Sequence, residues 1–153
     1  MRKFIFSMQA LLDVKEAAEK QAKADFAAAQ RAADEAEQRC EACRREILSE
    51  HTALETDARN GMQAVEYQQR RGFLVLLEKQ ADSLRQALEQ ARRTVAEKQA
   101  ALREIYKDKK ALERLRASKK AAFEKEEAQK EAKEMDDLLT PGMMTRMAEA
   151  KEE

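Results

Sequence analysis

The side chains best suited to chemistry in this sequence are two cysteines and one histidine. Cys40 and Cys43 are separated by two residues, and His51 follows further along the chain. Thiolates and imidazoles are zinc ligands, and a Cys-x-x-Cys pair also occurs in thiol redox proteins. A structural zinc site needs four ligands, and no alternation of strands and helices surrounds the pair as a thioredoxin-like site would require. We therefore expect the cysteines to be small packing residues, His51 to be partly exposed, and no metal or cofactor to bind.

Other signatures of enzyme active sites are missing from the sequence. It contains no glycine-rich phosphate loop, no Ser/His/Asp set on turns and no carboxylate pair in a predicted pocket. Of the 153 residues 39% are charged and only 5% are aromatic, which leaves few bulky side chains to build a wide core around an enclosed site. We predict that the protein is not an enzyme.

Charge and hydropathy exclude two further classes of partner. Thirty basic residues balance thirty acidic ones, so the chain has no net charge with which to hold nucleic acid or an anionic membrane. No stretch is long and apolar enough for a transmembrane helix. The N-terminal residues 1–6 resemble the start of a signal peptide, but Asp13, Lys15 and Glu16 interrupt any apolar region that follows. We expect a cytoplasmic protein.

The elements that carry these residues are predicted to be long helices. Ala, Glu, Lys, Leu and Arg fill well over half of the positions, a composition typical of coiled coils. The breaks predict a helix over about 4–58, a tip over about 59–72 that includes Asn60-Gly61 and Gly72, and a second helix over about 73–139. Thr140-Pro141-Gly142 predicts the end of that helix and a short flexible tail, 140–153.

Apolar residues recur along both predicted helices at the alternating spacing of three and four that is typical of coiled-coil a and d positions. When the chain folds back at the tip, the two seams meet, which predicts an all-α antiparallel two-helix coiled-coil hairpin with an overhanging C-terminal helix. It would form one domain, 1–139, and a monomer in isolation. The first seam comprises Ala22, Phe26, Ala29, Ala33, Ala36, Cys40, Cys43, Ile47, Glu50 and Leu54. The second comprises Leu74, Leu77, Ala81, Leu84, Leu88, Ala91, Val95, Lys98, Leu102, Ile105, Lys109 and Leu112.

Two clusters exceed what the seams need. Five successive apolar residues, 73–77, follow the tip, and they are either covered by Met62, Val65 and Tyr67 or exposed as a binding patch. A basic stretch on the second helix is either a solvated face or a contact for an acidic protein partner. It comprises Lys107, Lys109, Lys110, Arg114, Arg116, Lys119 and Lys120.

Several motifs together resemble the FliJ family of flagellar type III export proteins. They are the opening Phe4-x-Phe6-x-Met8-x-x-Leu11-Leu12-x-x-Lys15-Glu16-x-x-Glu19, the glutamine-rich tip, Leu112-Glu113-Arg114-Leu115 and Glu131-x-Lys133-Glu134-Met135-Asp136-Asp137. The resemblance extends from Phe4 to Asp137. Met135-Asp136-Asp137 departs from the family's usual ending, which is similar to Leu-Asp-Glu, and the tail matches no motif of the family.

This resemblance implies a coiled-coil stalk similar to that of rotary ATP synthases, and no enzymatic activity. The paired termini would bind the hexameric export ATPase, FliI, while the protein bridges that ring to the export gate protein FlhA and handles the escort chaperones of export substrates. These partners would hold it at the cytoplasmic face of the inner membrane. Its expected ATPase contacts are Phe4, Phe6, Met8, Leu11, Leu12, Arg114, Lys119, Lys120 and Phe123, and its expected gate contacts are Phe73, Leu77 and Leu84.

Two alternatives remain at this stage. The related stalk proteins of virulence secretion systems share the hairpin. A structural tether or homodimeric coiled coil without an ATPase partner would use Glu50, Lys98 and Lys109 only to set the register of its seams.

Overall fold

The computed structural model describes residues 2–152, except for the side chains of residues 143, 144 and 152. Two α-helices make up most of this range: α1 spans Gln9–Arg59 and α2 spans Ala64–Glu152. No strand occurs among the described residues. The helices pack against each other, which confirms the predicted all-α coiled-coil hairpin.

The chain divides into two compact units, Ala18–Ile105 and Met1–Ala17 with Tyr106–Glu153. In the first unit, the Arg92 guanidinium on α2 lies 3.6 Å from the Glu37 carboxylate on α1. Nearer the tip, His51 on α1 lies 3.7 Å from the Glu78 carboxylate on α2. In the second unit, the Lys15 ammonium lies 3.0 Å from the Asp108 carboxylate. In the same unit the Gln9 side chain bonds to Arg116. In each unit, therefore, a residue later in α1 pairs with a residue earlier in α2, so the helices are antiparallel.

The seams lie where the heptad spacing predicts them. All ten predicted seam residues of α1 are buried or half-buried. Eleven of the twelve predicted seam residues of α2 are also buried or half-buried, and the twelfth, Lys98, is exposed. Near the tip, Leu54, Leu74 and Leu77 form a buried cluster against which Ile47 and Met62 pack. Farther along α1, the buried side chains are mainly alanines, Ala22, Ala29 and Ala33.

Helix α1 begins at Gln9 and not at residue 4 as predicted. Residues 2–6 are irregular, and a turn at residues 7 and 8 leads into the helix. The Gln9 amide donates to the Phe6 carbonyl at 3.0 Å, and the Leu12 amide donates to the Met8 carbonyl at 3.0 Å. These bonds satisfy two of the amides that the first turn of a helix leaves without an intrahelical acceptor.

The predicted tip, 59–72, is too long. α1 ends at Arg59 and α2 already begins at Ala64, so the turn comprises only residues 60–63. Gly61 has φ of +103°, a conformation in which glycine avoids the steric cost that other residues meet. Gly72 lies inside α2, because a single glycine costs an exposed helix about 1 kcal/mol without ending it.

The predicted end of the second helix at Thr140-Pro141-Gly142 is also wrong, because α2 continues through Pro141 to Glu152. Proline removes one backbone donor and strains the preceding turn of a helix, but it does not always end one. Threonine hydroxyls bond to carbonyls four residues back on both sides of this point, from Thr140 to Asp136 at 2.6 Å and from Thr145 to Pro141 at 2.8 Å. From Ala128 onward every described side chain is exposed, which is the predicted overhang. Glu153, the last residue of the predicted tail, lies outside the described residues.

Candidate partner-binding surfaces

The N-terminal segment presents alternate side chains to α2 and to solvent. Phe6 is 7% exposed and Phe4 is half-buried, whereas Ile5 between them is 82% exposed. In an extended chain, residues two apart lie on the same side, but in a helix they would lie about 200° apart. A non-helical segment therefore allows both phenylalanines to pack, which is a physical reason for α1 to begin only at Gln9.

Aromatic and cationic side chains fix this segment on α2. The rings of Phe4 and Phe123 lie 5.7 Å apart between centroids and are tilted by 51°. The Arg2 guanidinium lies 5.9 Å from the centroid of Phe123, and that of Arg116 lies 5.8 Å from the centroid of Phe4. Arg116 also donates from Nε to the Gln9 side-chain oxygen at 3.1 Å. Such cation–π contacts contribute about 0.5–1 kcal/mol each at exposed sites.

The predicted ATPase contacts separate into packed and exposed residues. Phe6 and Leu12 are buried against the coiled coil, so their side chains present no surface to a partner in this structure. Phe4 and Phe123 stack on each other and are half-buried. The remaining apolar contacts, Met8 and Leu11, are exposed, and so are Ile5 and Val14, which lie three residues before Met8 and three after Leu11 in sequence. This apolar ridge comprises Ile5, Met8, Leu11 and Val14.

The basic stretch also divides. Lys109 and Lys110 approach the Glu113 carboxylate at 3.7 and 3.2 Å, and Arg116 is engaged by Gln9 and Phe4. The basic residues predicted to contact the ATPase are all exposed, namely Arg114, Lys119 and Lys120. The apolar ridge and these three cations belong to the same unit, which therefore offers a partner both apolar area and positive charge.

The apolar cluster after the tip is largely uncovered. Met62 packs on the leucine cluster, but Val65 and Tyr67 are themselves exposed. The predicted gate contacts therefore differ from one another: Phe73 is 44% exposed, Leu84 is half-buried, and Leu77 is 4% exposed because it belongs to the leucine cluster. The exposed near-tip surface comprises Val65, Phe73 and Leu76. Val75 is also exposed, but it lies about 160° around α2 from Phe73.

An ion pair joins the two helices beside this surface. The Arg70 guanidinium donates to the Asp57 carboxylate at 2.6 Å. This hydrogen bond and the charge of Asp57 raise the pKa of Arg70 above its usual value, so the guanidinium stays charged. The pair connects the last turn of α1 to the start of α2 and helps to hold the short turn.

The cysteines lie at their predicted seam positions. Cys43 is buried, and its thiol points to the Leu77 carbonyl with sulfur and oxygen 3.7 Å apart; Cys40 is half-buried. His51 is half-exposed and lies beside Glu78. Among the described side chains, no group of three or more His, Cys, Asp or Glu is placed to hold a metal ion.

The family model for the flagellar FliJ protein matches residues 4–147. The chain belongs to the FliJ family. It is therefore a component of the flagellar export apparatus. No curated protein and no solved structure matches the chain. Within the described residues of this FliJ-family protein, no helix is long and apolar enough to cross a membrane.

The sequence analysis missed two exposed residues of the apolar ridge in this FliJ-family chain, Ile5 and Val14. Phe4 and Phe6 provided a signal for Ile5, because alternate residues of a non-helical segment lie on opposite sides. Val14 lies off the seam positions, where apolar residues of a coiled coil are usually exposed.

Proposed function

We propose that this chain is the non-enzymatic stalk component of the flagellar export apparatus, which binds the hexameric export ATPase and links it to the export gate and to substrate chaperones. The observation that carries this proposal is the presence of two exposed apolar surfaces on a coiled coil whose own seams are filled. One is the apolar ridge, which belongs to the same unit as the exposed Arg114, Lys119 and Lys120, and the other is the near-tip surface. Both remain available for partners after the hairpin has formed.

The apolar ridge is proposed as the ATPase contact. Ile5, Met8, Leu11 and Val14 would supply apolar area, and Arg114, Lys119 and Lys120 would guide approach to acidic loops. Phe6 and Leu12 act indirectly, by holding the segment that presents the ridge. This revises the contact set predicted from the sequence in favour of the side chains that are exposed.

Charge reversal tests the ATPase contact. We expect Lys119→Glu with Lys120→Glu to slow association with the purified ATPase about tenfold at low salt and to remove most of its salt dependence, because exposed charges are screened beyond ~8–10 Å. The matched control is Lys79→Glu with Lys98→Glu, which reverses two exposed lysines outside this surface. ATPase stimulation by the first variant that equals the wild-type value at both salt concentrations would contradict the assignment.

The near-tip surface is proposed as the contact with the gate. Phe73 is the proposed anchor of this contact, because a central aromatic side chain often contributes about 2 kcal/mol or more to binding. Phe73→Ala should weaken gate binding in calorimetry by about thirtyfold while leaving the unfolding transition nearly unchanged. Tyr67→Ala is the control, since Tyr67 is an aromatic residue of similar exposure. Equal affinity of wild type and Phe73→Ala for the gate would reject this assignment.

The proposed location follows from these contacts. The chain would act in the cytoplasm and be held at the inner face of the membrane through the ATPase and gate. Fractionation of cells that lack the gate protein tests this, because the membrane-bound share should fall in those cells.

A further inference from the structure

A groove lies between α1 and α2 in the unit Ala18–Ile105. Its volume is about 670 Å³, and it is lined by residues 37–48 of α1 and 78–88 of α2. Asp82 on its rim lies about 180° around α2 from Phe73, at 3.6 residues per turn. The groove and the near-tip surface are therefore on different faces of the coiled coil.

Small seam residues create the recess. Cys40 and Ala81 occupy the seam here, whereas Leu54, Leu74 and Leu77 fill it nearer the tip. The half-buried Ile47 and Leu88 also line the groove. Leu48 forms part of its wall and is 61% exposed, which leaves a large aliphatic side chain in water. The floor and wall are thus apolar and open on one side.

Carboxylates form a row on each helix along the rim. Glu37 and Glu41 are four residues apart on α1, and Glu78 and Asp82 are four apart on α2. Like charges at this spacing destabilise a helix by about 0.2–0.5 kcal/mol per pair.

Neighbouring groups offset only part of this charge. Glu37 lies 3.6 Å from Arg92, Glu78 lies 3.7 Å from His51, and Asp82 pairs with Arg85. Of the charged residues that line the groove, four are acidic and two are basic, Arg44 and Arg85. The rim therefore remains acidic on balance.

We propose that this groove binds an amphipathic helix of a partner protein, with Lys or Arg on both sides of its apolar stripe. The lining residues of α1 span about 16 Å at the helical rise, which matches three turns of a third helix laid between two helices. The apolar stripe would cover Leu48, Ile47 and Leu88, and the flanking cations would meet the two carboxylate rows. This site is separate from the ATPase and gate surfaces and does not depend on either.

The acidic rim argues against the overhang of a second copy as the occupant. Two exposed leucines of the overhang, Leu138 and Leu139, are close in sequence to Glu134, Asp136 and Asp137. Placing that segment in the groove would bring carboxylates against carboxylates.

A synthetic peptide of about three heptads, with Leu at a and d and Lys at e and g, tests the proposal. In fluorescence anisotropy, we expect the full chain to bind it at least tenfold more tightly than the same peptide with Glu at e and g. Leu48→Glu should weaken binding about tenfold, while Leu139→Glu should not. Leu139 is 58% exposed, so the control introduces the same charge at a similarly exposed leucine outside the groove and the proposed contact surfaces. Equal effects of the two substitutions, or none from Leu48→Glu, would overturn the proposal.

Charge exchange provides a second test that does not depend on the stability of one variant. Glu41→Lys with Glu78→Lys should weaken binding of the Lys peptide and strengthen binding of the Glu peptide, with helical content unchanged by circular dichroism. Unchanged preference for the Lys peptide would show that the rim does not select the partner. A dimer of the chain that Leu48→Glu dissociates would instead make the groove a self-association site and reject the proposal.

Discussion

Phe4 and Phe6 show how the spacing of two side chains determines a local conformation. Phe6 is buried while Phe4 stacks on Phe123 of α2, and this packing compensates for the helical turn that the irregular segment lacks. Ile5 is then directed to solvent. The same three residues thus anchor the segment and expose part of the apolar ridge.

Phe6→Ala should lower the free energy of unfolding by about 2–4 kcal/mol, because it removes a buried aromatic side chain from a thin core. Ile5→Ala is the matched control and should change it by less than about 0.5 kcal/mol, since Ile5 is exposed. Urea unfolding followed by circular dichroism measures both. Similar losses for the two variants would show that the segment is not held through alternate faces.

The seam residues could be predicted from the sequence because heptad spacing is a local property. Leu54, Leu74 and Cys43 are buried where counting places them. The burial of Phe6 and Leu12 could not be predicted in this way, because it depends on an irregular segment that lies against α2 through contacts distant in sequence. The ATPase contacts predicted from apolar character therefore include both buried residues, such as Phe6, and exposed residues, such as Met8.

At the scale of the elements, the boundaries depend on backbone conformation at two glycines. Gly61 adopts a positive φ in the turn, whereas Gly72 is helical and has nothing within 4 Å of the position that a Cβ would occupy. One glycine is required by the turn, and the other is tolerated by the helix. Sequence alone does not distinguish them, which is why the tip was predicted too long.

Gly72→Ala should stabilise the protein by about 0.5–1 kcal/mol, because alanine favours the helix and meets no neighbour. Gly61→Ala should destabilise it by about 1 kcal/mol or more, because alanine is strained at this φ. Thermal unfolding at one protein concentration compares the two directly. Destabilisation by Gly72→Ala would indicate that Gly72 has a structural role beyond that of a helical residue.

Packing within the unit Ala18–Ile105 differs along α1. Alanine layers such as Ala29 and Ala33 bury less apolar area than the cluster of Leu54, Leu74 and Leu77. We expect amides at residues 22–36 to exchange with deuterium faster than those at 47–57, and amides of the exposed overhang to exchange fastest. Mass spectrometry of peptides at several labelling times measures this order. Uniform protection along α1 would mean that the alanine layers are as stable as the leucine cluster.

The overhang contains a motif that usually ends a helix but does not end this one. Thr140-Pro141-Gly142 predicts a stop, yet α2 continues through it in a sequence rich in helix formers. A proline indicates a kink or an end, and its local sequence does not decide between them. The overhang could be predicted because residues beyond about 125 have no counterpart on the first helix.

For the molecule as a whole, the seams of α1 and α2 cover each other, so exposed apolar residues rather than unfilled seams provide the surfaces for partners. The charges balance over the chain, and specificity must come from local groups such as Lys119 with Lys120 or the rim of the groove. The fold could be predicted from heptad counting, whereas the choice of binding residues required knowledge of which side chains the fold leaves exposed.

We expect the isolated chain to be a monomer, with a mass by light scattering near 17.5 kDa over a wide range of protein concentration. A second copy would gain little from seams that are already filled within one chain. Exposed apolar side chains could still drive association, among them Leu138 and Leu139 of the overhang. Leu138→Glu with Leu139→Glu should therefore leave the mass unchanged. A mass of two chains, in the wild type or in this variant, would contradict the prediction of a monomer. If that mass also persisted in Leu48→Glu, pairing of the seams between copies would be indicated.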